Sequence, residues 1–187
     1  MGKRSTFERF PRDAYDTPLE AVRPLLAHLK PNTRYVEPCA GKGRLIEALD
    51  AVGHNCVEAW DIEPGDEGVY AIERRCALES SPGDAHDCFI TNPPWDRTLL
   101  HPMIERFTLF GPTWLLFDAD WSHTRQSAQF MPWCRKIVSV GRVVWIPGTK
   151  MTGKDNCAWY LFDRTPAMGP TMFFGRESST GPVSIGG

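Results

Sequence analysis

The sequence predicts an α/β fold in which helices cover a mostly parallel sheet. Short apolar runs alternate with helical patterns along most of the chain. A glycine-bearing turn follows the first apolar run, and an acid closes the second. Such a turn and acid lie together at the carboxyl ends of neighbouring parallel strands, where ligands bind. At 187 residues, the chain is long enough for one domain with a small appendage.

The N-terminal part predicts a basic arm followed by a helix. Residues 1–14 form the arm, and the first twelve residues carry four basic groups and one acid. Thr17 is expected to cap the helix, with Pro18 at its first position. The leucines and valine that follow at helical spacing predict one apolar face. Pro24 predicts a kink or a late start of this helix.

The first strand and its turn predict a ligand site. Residues 34–36 are predicted as a buried strand, and a helix is predicted over about 43–52. Between them, Gly41 and Gly43 allow the backbone to approach a ligand closely. Their spacing is shorter than the dinucleotide pattern, and Glu37 would repel a pyrophosphate. The turn therefore favours a cationic ligand.

The second strand ends in an acid. Residues 55–60 are predicted as a strand, and Asp61 lies at its tip. An acid at this position typically accepts hydrogen bonds from ribose hydroxyls. The stretch 62–87 is rich in Pro, Gly and acids, which predicts at most a short strand near 69–72.

The fourth strand, predicted over 87–91, runs into Asn92-Pro93-Pro94-Trp95. Both prolines fix φ and lack an N–H, so they stiffen the corner. The Asn92 side-chain oxygen and the Pro93 carbonyl can then accept hydrogen bonds from one exocyclic amine. Trp95 offers a flat face on which a base can stack. The corner suits methylation of a planar amine, although a purely structural proline-rich turn remains the alternative.

The rest of the chain completes the sheet. A helix is predicted over 97–109 and a strand over 113–117, and the segment 122–131 is predicted as helical or irregular. Residues 136–146 and 157–163 are predicted as two strands. Residues 15–165 thus form the predicted catalytic domain, and the Gly- and Ser-rich tail 166–187 is predicted to be irregular.

These segments, in this order, resemble a known family. Glu37–Gly43, Asp61-Ile62 and Asn92–Trp95 look like motifs I, II and IV of the S-adenosylmethionine-dependent amino methyltransferases. The likeness is closest to the adenine-N6 DNA methyltransferases of phages and restriction-modification systems. Residues 15–18 are similar to motif X of that family. The resemblance spans roughly residues 15–163 and implies a Rossmann-like class I methyltransferase, with a seven-stranded, mostly parallel sheet whose last strand is antiparallel.

The resemblance also implies roles for particular residues. S-adenosyl-L-methionine is the implied cofactor, and N6 of adenine in DNA is the implied methyl acceptor. The implied catalytic residues are Asn92, Pro93, Pro94 and Trp95. The implied cofactor-binding residues are Tyr15, Thr17, Glu37, Cys39, Ala40, Gly41, Gly43, Asp61, Ile62 and Asn92.

The sequence departs from the family pattern at two positions. Trp95 stands where the family usually has Tyr or Phe. The family also often has an acid after strand three that contacts the cofactor adenine. Asp84 is the nearest acid here, but the aligned segment can equally be 75–78, which has none.

The charge distribution indicates where substrate binds. Residues 13–120 carry nine Lys/Arg and nineteen Asp/Glu, whereas residues 121–176 carry eight Lys/Arg and two acids. Arg142, Lys150 and Lys154 are predicted to contact phosphates, with Trp95 contacting the base. A solvated basic surface without a phosphate partner is the alternative.

Other features limit the class of protein. The six cysteines are scattered, which indicates a reducing, cytoplasmic setting and no metal site. No apolar run is long enough to span a membrane. A monomer or weak dimer is expected. Sequence specificity is expected to be low or short, because few residues remain for a target-recognition domain. Adenine in RNA, a glutamine amide in protein, and a non-catalytic nucleotide-binding module remain the alternatives.

Overall fold

The computed structural model describes residues 16–65, 69–83, 85–146, 148, 152–166 and 169–176. Within these residues, the chain forms three α-helices and one eight-stranded sheet. The helices are α1 (Leu19–Leu26), α2 (Arg44–Asp50) and α3 (Arg97–Phe107). The strands are β1 (Arg34–Glu37), β2 (Asn55–Asp61), β3 (Glu73–Arg74), β4 (Cys88–Thr91), β5 (Thr113–Asp118), β6 (Cys134–Gly141), β7 (Cys157–Phe162) and β8 (Met172–Phe174).

The sheet has the strand order β3-β2-β1-β4-β5-β7-β6-β8. The first five of these strands pair in parallel, and β7 runs antiparallel to both β5 and β6. The predicted fold class, a Rossmann-like, mostly parallel sheet whose seventh strand is antiparallel, is therefore confirmed, but the sheet has eight strands rather than the predicted seven.

The strand β8 corrects the prediction that the tail is irregular. It pairs in parallel with β6, through Met172, Phe173 and Phe174. Three consecutive apolar residues fit a strand, and the outer edge of β6 offers them a row of hydrogen-bonding groups. The Thr171 hydroxyl also donates to the Cys134 carbonyl at 2.8 Å, which fixes the start of β8.

The core consists of two apolar layers, one on each face of the sheet. Successive residues of a strand face opposite sides. Phe89 and Leu115 accordingly belong to the layer that includes α3, whereas Ile90 and Leu116 belong to the layer that includes α1 and α2. Because of this alternation, one face of the sheet packs against α3 and the other packs against α1 and α2. The helices cover the two faces, and the ends of the strands remain open to a ligand.

Helix α1 differs from its predicted form at its start. Its N-cap is Pro18, which makes no side-chain capping bond, so the prediction that Thr17 caps the helix is wrong. The Thr17 hydroxyl instead accepts a hydrogen bond from Asn92. The helix begins at Leu19 and contains Pro24, so no late start occurs.

Two strands differ from the predicted bounds. The short third strand is at Glu73–Arg74 rather than 69–72, where it pairs with the end of β2. Strand β6 ends at Gly141 rather than at residue 146. Gly141 has a φ of +89°, a left-handed conformation that takes the chain out of the sheet.

The connection between β5 and β6 is a series of short 3-10 turns rather than an α-helix. They lie at Ala119–His123, Arg125–Gln129 and Met131–Trp133. Buried Trp121 and Phe130 anchor this connection in the core. The crossover therefore covers the sheet with aromatic side chains instead of a helical face.

Candidate active site at the carboxyl edge of the sheet

A cavity of about 680 Å³ opens where β1, β2 and β4 end. Strands β1 and β4 are neighbours in the sheet, and the strand order reverses between them. This crevice is where open α/β sheets bind ligands. Its polar lining includes Asp16, Thr17, Glu37, Asp61, Glu63 and Asn92. Its apolar lining includes Ala40, Leu45, Ile62, Ala77, Leu78, Leu99, Met103, Trp145 and Ile146.

The turn from Glu37 to Gly43, here called the glycine turn, is held by main-chain hydrogen bonds. The Ala40 N–H donates to the Trp60 carbonyl at 2.8 Å, and the Gly43 N–H donates to the Ala40 carbonyl at 2.7 Å. Gly41 has a φ of +53°, and a Cβ added there would meet no atom within 4 Å. Gly41 lines the cavity, so this turn brings bare backbone to the ligand space.

Asp61 ties the ends of β1 and β2 together. Its Oδ2 accepts a hydrogen bond from the Gly41 N–H at 2.8 Å, and its Oδ1 accepts one from the Glu63 N–H at 2.7 Å. A carboxylate oxygen can accept more than one hydrogen bond. Asp61 therefore holds the glycine turn in place and retains acceptor capacity toward a ligand hydroxyl.

Glu37 is a buried acid in the wall of the cavity. It is 1% exposed, and its Oε1 accepts a hydrogen bond from the Cys39 N–H at 3.4 Å. Within the described part of the chain, no group makes a well-formed hydrogen bond to Oε2, although the Thr91 hydroxyl lies beside this carboxyl and opposes the rise in its pKa. Burial, with a smaller contribution from Asp61, raises the pKa of this carboxyl to about 8. A cation in the cavity would favour the ionised form.

The neighbouring thiol is a packing group. Burial, followed by the nearby carboxyls, raises the pKa of Cys39 well above its usual value. Cys39 packs against the apolar layer that includes α3. It lines the cavity as a small apolar side chain rather than as a nucleophile.

The segment from Asn92 to Trp95, here called the Asn92 corner, joins β4 to α3. Asp96 caps α3 by accepting from the Thr98 N–H at 2.8 Å. Asn92 Nδ2 donates to Thr17 Oγ1 at 3.2 Å. Of these corner residues, Asn92 and Pro94 line the cavity, whereas Pro93 and Trp95 are not part of its lining. One amide group is therefore presented to the cavity from the end of β4.

Trp95 is held beside Asn92 by its indole N–H. This group donates to Asn92 Oδ1 at 3.3 Å and to the Leu116 carbonyl at 3.2 Å. Trp145 lies edge-on to Trp95, with ring centroids 5.8 Å apart, and lines the cavity. The stacking of a substrate base on Trp95 stays a prediction, and Trp145 is a second aromatic side chain at the same place.

Most of the residues expected from the sequence meet in this cavity. Those that line it are Thr17, Glu37, Cys39, Ala40, Gly41, Asp61, Ile62, Asn92 and Pro94. Gly43 lies just behind the wall as the N-cap residue of α2, where a Cβ would come within 3.0 Å of Tyr70. Tyr15, Lys150 and the arm 1–14 lie outside the described residues.

The two described basic residues expected to contact substrate lie at the same edge of the sheet. Arg142 follows β6, Lys154 shortly precedes β7, and both are exposed. The Gly153 N–H donates to the Val143 carbonyl at 2.7 Å, which brings the backbones of Arg142 and Lys154 close together. They stand outside the cavity lining, in a position that a large substrate can reach.

Sequence reasoning missed two parts of the cavity wall, on α3 and beyond β6, and left a third, within residues 75–78, without an assigned contact. Residues 76–78, after β3, line it with a thiol and apolar groups, and Asp84 lies outside the described residues. Leu99 and Met103 line it from α3, and their four-residue spacing is also the ordinary pattern of a core-facing helix. Trp145 and Ile146 reach it from beyond β6, and nothing near them in sequence marks them out.

Among the described residues, no helix has the length and apolar character needed to cross a membrane. The same residues contain no cluster of three or more His, Cys, Asp or Glu side chains arranged to hold a metal ion.

Comparison with known proteins gives structural matches alone. No protein-family model and no curated protein matches the sequence. A protein from Pyrococcus horikoshii described as an RNA methyltransferase matches with a TM-score of 0.53 and 16% identity, over 80% of this chain and 85% of that one. A Listeria monocytogenes protein described as a class I S-adenosylmethionine-dependent methyltransferase matches with a TM-score of 0.59 and 14% identity, over 88% of this chain and 64% of that one.

A third match is the methyltransferase subunit of a type I restriction-modification system from Streptococcus thermophilus. It has a TM-score of 0.51 and 9% identity, over 80% of this chain and 45% of that one. At such identities, the likeness concerns the arrangement of strands and helices. Together with the strand order and the position of the cavity, it shows that this chain has the class I methyltransferase fold.

Proposed function

We propose that this chain transfers the methyl group of S-adenosylmethionine to N6 of adenine in DNA. The observation that carries the proposal is the position of Asn92. Its amide lies at the end of β4, in the wall of the same cavity as the glycine turn and Asp61. A methyl donor and an amine acceptor must share one site, and this cavity offers recognition groups for both.

The cavity fits the cofactor. The Asp61 oxygens suit ribose hydroxyls, and the open backbone at Gly41 allows close approach of the ligand. The buried carboxyl of Glu37 suits a cationic group such as the methionine ammonium. The side chains of Ala77 and Leu78 offer an apolar surface for the adenine ring. Residues 76–78 include no acid, so this part of the wall would contact the adenine through apolar side chains.

The chemistry requires positioning rather than a nucleophilic side chain. When bound, the sulfonium of the cofactor supplies an electrophilic methyl group. The lone pair of an adenine amine is delocalised into the ring, so the amine is a weak nucleophile. Asn92 Oδ1 and the Pro93 carbonyl would accept its two N–H groups and favour a pyramidal nitrogen. Correct placement of donor and acceptor then supplies most of the rate enhancement.

DNA is proposed as the substrate on the resemblance of the Asn92 corner and on the exposed cations. Arg142 and Lys154 lie beyond the cavity, where phosphates of an extruded nucleotide would pass. Trp145 and Trp95 offer aromatic surfaces at the corner. The type I restriction-modification subunit among the structural matches supports a DNA substrate, and the match described as an RNA methyltransferase supports RNA.

The test is methyl transfer from tritiated S-adenosylmethionine to duplex DNA, single-stranded DNA, RNA and a protein mixture, followed by identification of the modified group. We expect N6-methyladenine in DNA, and background counts with the Asn92→Ala variant. Label recovered only in RNA or in a glutamine amide would replace the proposed substrate. Cofactor binding without transfer to any substrate would favour a non-catalytic module.

A further inference from the structure

The side-chain amide of Asn92 is held at both ends by residues from different parts of the chain. Its Nδ2 donates to Thr17 Oγ1 at 3.2 Å, and its Oδ1 accepts from Trp95 Nε1 at 3.3 Å. Thr17 is 7% exposed and precedes α1. Asn92 itself lines the cavity, so these two bonds decide how its amide faces a ligand there.

The indole N–H determines which way the amide points. An indole nitrogen can donate but cannot accept, so the atom of Asn92 that faces it must be the oxygen. If the amide were inverted, its NH₂ group would face the indole N–H of Trp95, and both groups are hydrogen-bond donors. Trp95 cannot easily turn away, because the same N–H donates to the Leu116 carbonyl on buried β5 at 3.2 Å.

The opposite end of the amide needs an acceptor, and Thr17 supplies it. The threonine hydroxyl accepts one Nδ2 hydrogen. At the other end, the Trp95 N–H uses one lone pair of Oδ1 and leaves the second for another donor. Thr17 also lines the cavity. The amide is thus fixed from the start of α1 on one side and from β5, through Trp95, on the other.

We infer that Thr17 and Trp95 are positioning residues for methyl transfer, which keep Asn92 Oδ1 turned to accept an N–H of the target amine. The inference rests on the proposed function. The Tyr or Phe that the resembled family usually has at this corner carries no ring N–H, so the contact from Trp95 is a property of this chain. A free amide would present its NH₂ group to the amine part of the time, and two donors would then oppose each other.

Three variants test the inference. Thr17→Val keeps the shape and removes the hydroxyl, Thr17→Ser keeps the hydroxyl, and Trp95→Phe keeps an aromatic ring without its N–H. We expect kcat to fall about tenfold in Thr17→Val and Trp95→Phe, the usual result of losing one net hydrogen bond of about 1.4 kcal/mol. The KM for cofactor should stay within about a factor of two, and Thr17→Ser should retain most of the activity.

Thr33→Val is the matched control. Thr33 is 4% exposed, and its hydroxyl donates to the Lys30 carbonyl at 2.6 Å, away from the cavity lining. Thr33→Val and Thr17→Val each remove one buried hydroxyl, so a fall in kcat caused by lower stability should appear in both variants. Equal kcat values for Thr17→Val and wild type would overturn the role of Thr17, and equal values for Trp95→Phe would overturn that of Trp95.

Nuclear magnetic resonance supplies a measurement that does not depend on turnover. The indole N–H signal of Trp95, identified by its loss in Trp95→Phe, should shift in Asn92→Ala. The side-chain NH₂ signals of Asn92 should shift in Thr17→Val and return toward wild type in Thr17→Ser. Unchanged signals would overturn the inference even if the enzyme is active. An inactive wild type with the expected shifts would instead contradict the proposed function alone.

Discussion

The glycine turn and the Asn92 corner face the same cavity but are organised by different atoms. The glycine turn is fixed mostly by main-chain groups, and its side-chain anchors, Asp61 and Glu37, accept hydrogen bonds from main-chain N–H groups. The Asn92 corner is fixed by side-chain hydrogen bonds that link it to Thr17, before α1, and to the Leu116 carbonyl of β5. A conformation fixed by main chain depends on a few small residues that are close in sequence. A side-chain network depends on long-range packing.

The difference has a consequence for substitution. A change in the Asn92 corner should alter turnover while the fold and the cofactor site persist, because its side-chain hydrogen bonds position only the Asn92 amide. A change in the glycine turn or at Asp61 should alter ligand affinity and local structure together.

Asn92→Ala should reduce methyl transfer to background and leave cofactor affinity near normal. The side chain would contact the reacting amine, and loss of such a group typically costs on the order of 10² to 10³ in rate. Single-turnover kinetics and calorimetry with S-adenosylmethionine measure the two quantities. Retention of more than about a tenth of the wild-type rate would remove Asn92 from the mechanism.

Glu37→Gln should make stability less dependent on pH. The pKa of Glu37 is raised from its ordinary value of 4.5 to about 8 by burial, so the folded state keeps a proton that the unfolded state loses. This contribution to stability is fully present below about pH 4.5 and is lost as pH rises through about 8. The variant should therefore gain stability relative to wild type at about pH 9, on the order of a few kcal/mol.

Urea denaturation of both proteins at about pH 6 and about pH 9 measures this difference. Glu47→Gln is the matched control, because Glu47 is an exposed glutamate on α2. A parallel pH dependence of wild type and Glu37→Gln would mean that Glu37 is ionised in the folded protein throughout this range.

Asp61→Ala should weaken S-adenosylmethionine binding by about 1–3 kcal/mol, the usual cost of leaving buried polar groups unpaired. It should also release the Gly41 and Glu63 N–H groups, so hydrogen exchange in the glycine turn should speed up. Calorimetry measures the change in cofactor affinity, and hydrogen exchange measures the change in the glycine turn. Unchanged affinity with faster exchange would restrict Asp61 to holding the turn.

The double variant Arg142→Ala/Lys154→Ala should weaken nucleic-acid binding at every sequence tested and leave cofactor affinity unchanged. If both side chains contact phosphates, the slope of log affinity against log salt should fall by about one for each cation removed. Arg23→Ala, on exposed α1 surface, is the control for a general loss of charge. An unchanged slope would place the nucleic acid elsewhere.

The sequence predicted the main-chain part of the site better than the side-chain part. Gly41 and Asp61 follow two neighbouring strands, and local rules are enough to place them together. Thr17 was expected to cap α1 on equally sound local grounds. Its hydroxyl instead accepts a hydrogen bond from Asn92, which lies 75 residues further along the chain. Trp145 enters the cavity because Gly141 ends β6 early, and a strand pattern does not reveal that turn.

The fold was predictable to a similar degree. Apolar runs placed the central strands to within a few residues, because these strands are buried on both faces. The strands at the sheet edges were predicted less well. The third strand is only two residues long, and the eighth depends on pairing with β6 rather than on a pattern of its own.

The eighth strand also bears on how separate copies of the chain meet. Strand β6 is eight residues long and would otherwise end the sheet with an open row of hydrogen-bonding groups, a template for association with another copy. With β8 in place, the terminal strand is three residues long, and Lys136 of β6 lies over the Phe174 ring with its amine 5.8 Å from the centroid. A three-residue terminal strand offers another copy far fewer main-chain hydrogen-bonding groups than the eight-residue β6 would, so we expect β8 to limit intermolecular β-pairing through this edge, although Met172 and Phe173 remain exposed on it.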